Sequence, residues 1–468
     1  MLQEELAREQ SSGETRPPRP TFWDRLLARE GVIAYLPIIV VIVLMFMGAS
    51  WQFTWLHTDA ARYQCYSLTF WLGGGAAKLL PGVQCGYLPH SSLVAAPFHA
   101  LPLEYPPLTL LIFTPALLAP LVYYQMTFAI LMALVAVFIY WLLLRYAPRG
   151  SALAFAGYML IGAWATAEAR FDLVPAALTL ICVIAAARKH WTSAYIMLAI
   201  AFLLKIYPLL FLPALFIAEQ QDARRFHEPP PSSPLSTLPA EIWRTIRGFR
   251  QWRWKNTLIF FAILLAVTGF FALLDFRGAV LSQLNYFANR PVQVESTASP
   301  ILFLATHFGI AGKTVYTFGS INIVSALGEP LSLIFDALFV LGYLYTIYLQ
   351  WRGKLEITQA FIAILLVFIV TGKVFSPQYL MWLIPLLVYS GAYNRFWLIT
   401  WGLMSILTTI IYPYLYTRTL DGTLAPYLPG FIESLAARDA LLVFLTLAYL
   451  FNWWQIRTSS HAIEAGSA

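Results

Sequence analysis

The chain has 468 residues, of which 59% are hydrophobic, 16% aromatic and only 11% charged, against roughly 45–50% apolar and about 25% charged in soluble domains. That composition, with a mean hydropathy of +0.67, excludes an ordinary soluble protein. The formal charge of +7 reflects basic residues beside apolar spans, as the positive-inside bias requires, and not nucleic-acid binding, because no Lys/Arg-rich tract or nucleic-acid motif occurs.

Residues 1–30 are polar, contain Arg16-Pro17-Pro18-Arg19-Pro20 and have too few apolar side chains to fold alone; they read as a disordered cytoplasmic tail. Gly31 to Ser50 is about the 20 residues a crossing needs, longer than a signal-peptide core, and reads as an uncleaved first span. The segment 51–105 that follows is aromatic and proline-rich with few charges. Trp51, Phe53, Trp55 and Trp71 suit the interfacial aromatic belt, so the segment is expected on or in the membrane surface, and a loop of this length is usually functional. Cys65 and Cys85 share it; they close a loop if it faces an oxidising compartment or stay as two free thiols, and spacing leaves both open. Residues 108–120 form a short apolar run bounded by Pro106-Pro107 and interrupted by Pro115 and Pro120, which reads as re-entrant or interfacial.

Further apolar runs occupy 123–144, 151–168, 173–187, 191–204, 206–218, 257–275, 331–351, 356–371, 379–393, 396–413 and 437–454. Cys182 lies inside one of them and reads as packing. With the first run they make about twelve crossings of ~20 residues or fewer, so the predicted fold is an all-α polytopic bundle with interfacial or re-entrant helices on the extracytoplasmic side. With the N-terminus inside, Arg145, Arg149, Arg188, Lys189, the 219–256 loop, Arg352, Lys354, Arg395 and Arg457 all fall on the cytoplasmic face, together with a tail at 457–468. A crossing at 108–120 would reverse every later loop. The extracytoplasmic segments are then 51–122, 169–172, the Lys205 turn, 276–330, 372–378 and 414–436. The 219–256 loop interleaves Arg244, Arg247, Arg250, Arg253 and Lys255 with Trp243, Phe249, Trp252 and Trp254. That pattern predicts a helix lying against anionic head groups, at about 1 kcal/mol per basic residue, with partner binding as the second reading.

Charges in a span cost about 2.5–3.5 kcal/mol at its centre, so those present are functional candidates. The extracytoplasmic rim collects His57, Asp59, Arg62, Glu104, Glu168, Arg170, Asp172, Lys205, Arg290, Glu295, His307 and Lys373. Asp59, between His57 and Arg62, is a carboxylate at a dry membrane edge that suits a general base; an Asp before Ala60-Ala61-Arg62 equally suits a helix N-cap. Arg170 and Asp172 read as an ion pair or cap before a helix opened by Pro175. Lys205, with Tyr207 beside it, sits between apolar segments and needs an anion, for which a phosphate is one good partner. Arg290 and Glu295 fall in one loop with His307 further on, and Lys373 stands at the mouth of a span before Gln378 and Tyr379; such cations also snorkel to head groups. Asp336, within 331–351, is expected to hydrogen-bond a neighbouring helix. No paired-carboxylate, HExxH, P-loop or GxSxG motif occurs at a plausible position, which disfavours nucleotide-dependent transfer and calls for neither metal nor cofactor.

Taken in order, HTDAAR, EYPPLTLLIFTP, ARFDLVPAALTL, LLKIYPLLFLP, RPVQVES and TGKVFSPQYLMW resemble glycosyltransferase family 87 of the glycosyltransferase-C superfamily, over roughly residues 31–456. The family includes polyprenol-phosphate-mannose-dependent mannosyltransferases and related arabinofuranosyltransferases. The resemblance implies a multi-pass cell-membrane enzyme that moves a hexose, with mannose the family-weighted choice, from a polyprenyl-phosphate donor to an extracytoplasmic glycolipid or glycan acceptor. The family's acidic residue in the first extracytoplasmic loop falls on Asp59, as general base. The leaving group is already an anion, so it needs only cations; Lys205, Arg290 and Lys373 are candidates, with Tyr207 and His307 as donors. His57, Arg62, Glu104, Tyr105, Arg170, Asp172, Glu295, Gln378 and Tyr379 are expected to support the site or the acceptor. The Gly73-Gly74-Gly75 stretch, the two loop cysteines and the 229–239 insertion depart from the family. A lipid-linked-sugar flippase or transporter is the alternative, but transporters often carry repeats with paired broken helices at the midplane. Here only one broken pair occurs, around Lys205, and the polar residues gather at one rim.

Overall fold

The computed structural model describes residues 31–224, 238–419 and 422–453. The expected tails 1–30 and 457–468, Arg457 and nearly all of the 229–239 insertion lie outside the described residues.

Each apolar run read from the sequence carries helix. In chain order the first elements are α1 (Leu36–Ala49), α2 (Asp59–Leu72), α3 (Tyr124–Tyr146), α4 (Ser151–Gly162), α5 (Leu173–Ala187), α6 (Trp191–Leu204), α7 (Leu212–Asp222), α8 (Leu238–Arg247), α9 (Lys255–Leu274) and α10 (Ser282–Asn289). The strand β1 (Val292–Gln293), α11 (Ser299–His307), β2 (Gly312–Thr317) and β3 (Ser320–Ser325) follow. The chain then runs through α12 (Gly328–Trp351), α13 (Ile357–Thr371), α14 (Tyr379–Tyr389), α15 (Arg395–Thr409) and α16 (Phe431–Leu450). Among the described residues, five stretches are helical, long and apolar enough to cross a membrane: Val32–Phe53, Leu121–Tyr146, Lys255–Leu274, Gly328–Trp351 and Arg395–Arg418. The shorter apolar helices include α5, α6, α13 and α14. The last two are apolar on every side, and nearly every residue from Ala360 to Val370 and from Leu380 to Tyr389 is buried, as an all-round hydrophobic helix must be. The outer face of α12 instead exposes Leu333, Ile334, Leu338, Val340 and Leu341. Asp336 is exposed on that helix and makes no hydrogen bond to a neighbouring helix among the described residues, contrary to expectation. Helix α8 does present its expected apolar side, with Ile242, Trp243 and Ile246 exposed and Arg247 lying 5.1 Å from the Trp243 ring.

The 51–122 segment is folded tightly. Helix α2 is buried from Ala60 to Phe70, roofed by the short turns that follow it. Gly74 permits that roof, because a Cβ there would stand 2.2 Å from the Leu93 carbonyl oxygen. The run 107–118 is broken into short helical pieces, and its two ends meet the same turn of α2. The Tyr105 ring lies 5.6 Å from that of Tyr63, and Gln64 Nε2 donates to the Leu121 carbonyl at 2.7 Å. The prolines at its start and at Pro115 and Pro120 explain why the run does not continue as one regular helix.

Cys65 and Cys85 form a disulfide, which resolves the alternatives left open by their spacing. It ties α2 to the turn carrying Gln84, whose amide donates to the Ala61 carbonyl at 2.8 Å. The closed loop spans 20 positions, and loops of that size stabilise by about 3 kcal/mol. Replacing both cysteines by serine is expected to lower the melting temperature of the purified protein; an unchanged melting curve would show that the loop is already fixed by its other contacts.

One part of the all-α expectation is corrected. The 276–330 segment contains a three-stranded antiparallel sheet in the order β1-β3-β2, with Val292 opposite Ile323 and Thr317 opposite Ser320. Val292, Ile321 and Ile323 turn inward onto Leu302, Ile411, Phe431 and Leu435, a second small core beside the main bundle. The alternation in Ser320–Ser325 and the Phe318-Gly319 tip, both at positive φ, are the local signals for this hairpin.

Candidate active site

Asp59 is the first residue of α2. The N-cap is Thr58, whose hydroxyl accepts from the Ala61 amide at 3.1 Å. The Asp59 carboxylate is thereby left out of the capping role that its local sequence allows, and its side chain points into a cluster of charges.

Asp59 Oδ1 lies 3.1 Å from Arg62 Nη1, and Oδ2 pairs with Arg170 Nη1. Arg62 reaches on to Glu104 through its second amino group, and its guanidinium lies 5.0 Å from the Tyr87 ring. The two arginines come from places far apart in sequence, Arg62 one turn along α2 and Arg170 from the turn preceding α5. Burial is the largest influence on both guanidiniums and opposes their charge, but Asp59 and the surrounding tyrosines, Tyr105 among them, together outweigh it, so both pKa values move up. A carboxylate held between two permanent cations is fixed in orientation and keeps lone pairs for a hydroxyl donor.

Asp172 does not pair with Arg170. Its Oδ1 accepts from Lys205 Nζ at 2.5 Å and from Trp382 Nε1 at 2.6 Å. The Lys205 ammonium stands 4.9 Å from the Phe171 ring and 5.2 Å from that of Trp382. The anion that the sequence demands for Lys205 is thus an internal carboxylate, and no phosphate is needed to neutralise it. Trp382 is stacked by Tyr207 at 4.1 Å and by Tyr379 at 4.0 Å. Tyr207 is buried, with its hydroxyl 3.4 Å from Thr179 Oγ1, so it steadies the tryptophan and is not open to a ligand. Tyr105 packs edge-on against Phe171 at 5.2 Å and, with Tyr63 and Phe113, walls the charges off from the apolar bundle.

Arg290 and Lys373 differ from these. Arg290 receives no carboxylate among the described residues; it donates to the Tyr286 hydroxyl at 3.0 Å and to Ser320 Oγ at 2.9 Å. Lys373 is half-buried and its ammonium has no side-chain partner among the described residues, while its carbonyl accepts from the Gln293 amide at 2.9 Å, three residues from Arg290. Two cations without acids therefore occupy neighbouring stretches of chain. Gln378 accepts from the Ser376 hydroxyl beside them.

Two expected members stand elsewhere. His307 is exposed at the end of α11, its Nδ1 3.2 Å from the Phe303 carbonyl, and the structure does not bring it to the charge cluster. Glu295 is buried in a separate network, where its Oε1 accepts from the Tyr416 hydroxyl at 3.1 Å and its Oε2 lies 3.5 Å from Arg438 Nη1. Arg438, fully buried in α16, also donates to Asp439 Oδ1 and lies 4.0 Å from the Phe375 ring. Burial moves the Glu295 pKa up, against the pull of Arg438 and Tyr416. Sequence reading missed Arg438, Trp382 and Thr58: the first is one arginine in an apolar run, the second an indole among sixteen tryptophans.

A cavity of about 800 Å³ opens beside the cluster, walled by Arg62, Glu104, Tyr87, Tyr286 and the hairpin tip 316–319, with His57 exposed at its edge. Arg62 lies between this space and Asp59. Among the described residues no three His, Cys, Asp or Glu side chains gather where they could hold a metal ion. Comparison with protein-family models finds no match, and comparison with curated proteins finds none.

Proposed function

We propose that this helical membrane protein is a glycosyltransferase that moves a hexose, mannose first among candidates, from a polyprenyl-phosphate donor to an extracytoplasmic glycolipid or glycan acceptor. The proposal includes a bundle of about twelve crossings of the glycosyltransferase-C type, with both termini cytoplasmic. The observation that carries it is Asp59, an acid free of capping, clamped by Arg62 and Arg170 next to a polar cavity and on the same rim as two cations without acids.

In the proposed reaction Asp59 accepts the proton of an acceptor hydroxyl. The hydroxyl oxygen bonds to the anomeric carbon as the bond from that carbon to the phosphate oxygen breaks, and the electron pair leaves with polyprenyl phosphate, inverting the centre. One carboxylate suffices because the leaving group is already anionic and is stabilised by positive charge alone. Arg290 and Lys373 are assigned to that phosphate. Lys205, neutralised by Asp172, is given a positioning role: it and Trp382 hold the Asp172 carboxylate beside Phe171 and Arg170. The apolar faces between helices suit the donor's isoprenoid tail, which never needs to leave the bilayer.

Lys373→Met tests the phosphate assignment. Loss of a charge-assisted contact is worth about 1.5–3 kcal/mol, so donor affinity is expected to fall about tenfold or more in the purified variant. Donor affinity equal to that of the unaltered protein would show that Lys373 serves only the membrane interface.

A further inference from the structure

The cavity beside Arg62 has the size of a small-ligand site, for which roughly 300–1,000 Å³ is usual. Its wall mixes apolar side chains, Leu56, Val83, Leu103 and Phe318, with polar ones, and a phosphate there would meet in Arg62 a guanidinium already shared between Asp59 and Glu104.

The polar part of the wall offers planar amides and phenol rings. Asn285 and Asn289 stand four residues apart on α10 and so share one face; both are exposed and make no side-chain hydrogen bond among the described residues. Each amide presents two N–H donors and one acceptor oxygen, the complement of adjacent hydroxyls that both donate and accept. Across the opening, Tyr316 of β2 is 65% exposed, and such a ring pairs an apolar face with a polar tip. Gly319 closes the near end. It has φ +67°, and a Cβ there would stand 2.6 Å from Arg62 Nη2 and 2.9 Å from Glu104 Oε1. The hairpin tip therefore rests directly on the ion pair that separates the cavity from Asp59.

We propose that this cavity binds a short uncharged oligosaccharide, with Asn285, Asn289 and Tyr316 determining which one. The hydroxyls bond to the amide pair, and the C–H face of a ring covers Tyr316. Glu104, and the commitment of Arg62 to two carboxylates, disfavour anionic sugars. That the bound sugar is the acceptor rests on the transferase reading; that it binds does not.

The test is saturation-transfer NMR on the purified full-length protein in detergent, with no donor present. The probes are neutral manno- and gluco-oligosaccharides of two to four residues and an oligogalacturonate of matched length. Binding of a neutral series is expected, with little or none of the uronate, and with affinity falling about tenfold in Asn285→Ala/Asn289→Ala and in Tyr316→Ala, a loss of one or two hydrogen bonds or a ring contact. Asn285→Asp, a near-isosteric change at an exposed position, gives the same test if the truncations fold poorly. Absence of neutral-sugar binding, equal binding of the uronate, or unchanged affinity in all variants would overturn the proposal. Failure of sugar transfer with every donor would remove the transferase reading and leave oligosaccharide binding intact; transfer with undiminished acceptor affinity in the variants would do the reverse.

Discussion

Asp59→Asn is expected to lower the rate of sugar transfer by about 10²–10⁴, the range that a positioned general base supplies. The substitution keeps size and shape; its amide oxygen can still accept from one of the two arginines, and Arg62 is held in addition by Glu104 and the Tyr87 ring. Because Thr58 is the cap of α2, the helix start does not depend on the residue at 59. The variant leaves Arg170 without a carboxylate among the described residues, so some thermal stability is expected to be lost along with the rate, as when any buried pair is broken, while donor affinity is expected to persist. A lost rate with donor binding intact separates a base from a purely structural acid. Full activity in the asparagine variant would remove Asp59 from the mechanism.

The second large effect concerns stability. Arg438→Met leaves Glu295 and Asp439, both buried, without their cation. Removing one partner of a buried ion cluster typically costs about 3–5 kcal/mol, because an uncompensated charge remains. The network also joins distant parts of the chain, since Arg438 Nη2 donates to the Glu295 carbonyl and Tyr416 to its side chain. A marked fall in thermal stability is therefore expected, partly restored when Glu295→Gln and Asp439→Asn are added. A single Arg438→Met variant as stable as the parent would mean that the acids are satisfied without it. Burial raises the Glu295 pKa, so its charged form is disfavoured by folding; at acid pH, where it is protonated, the penalty for losing Arg438 is expected to shrink.

Much of this architecture is written in simple terms in the sequence. Runs of Leu, Ile, Val and Phe long enough for a helix become helices because no other backbone satisfies its own hydrogen bonds in an apolar setting. The prolines around 106–120 mark a segment that returns to the same turn of α2. The hairpin over 312–325 was harder to see, because its strands are short and only Val315, Ile321 and Ile323 alternate within a long loop. The charges were legible as a set, since so few occur, but not their pairing. Local sequence places Arg170 and Asp172 together, yet one turns to Asp59 and the other to Lys205, 33 positions away. Partners that depend on α5, α6 and α14 packing side by side leave no local pattern. The same holds for Arg438, whose carboxylate at Glu295 lies 143 positions off. The cap at Thr58 was legible in principle, one residue before the acid that drew attention.

The most direct measurement incubates the purified protein with synthetic polyprenyl-phosphate hexoses and a sugar acceptor and follows the release of free polyprenyl phosphate. A transferase releases it in step with a glycosylated product, and release is expected from at least one donor, with mannose the first to try. Intact donor with every sugar, above all if reconstituted vesicles show it moved across the bilayer, would contradict the account and make the protein a carrier of lipid-linked sugar.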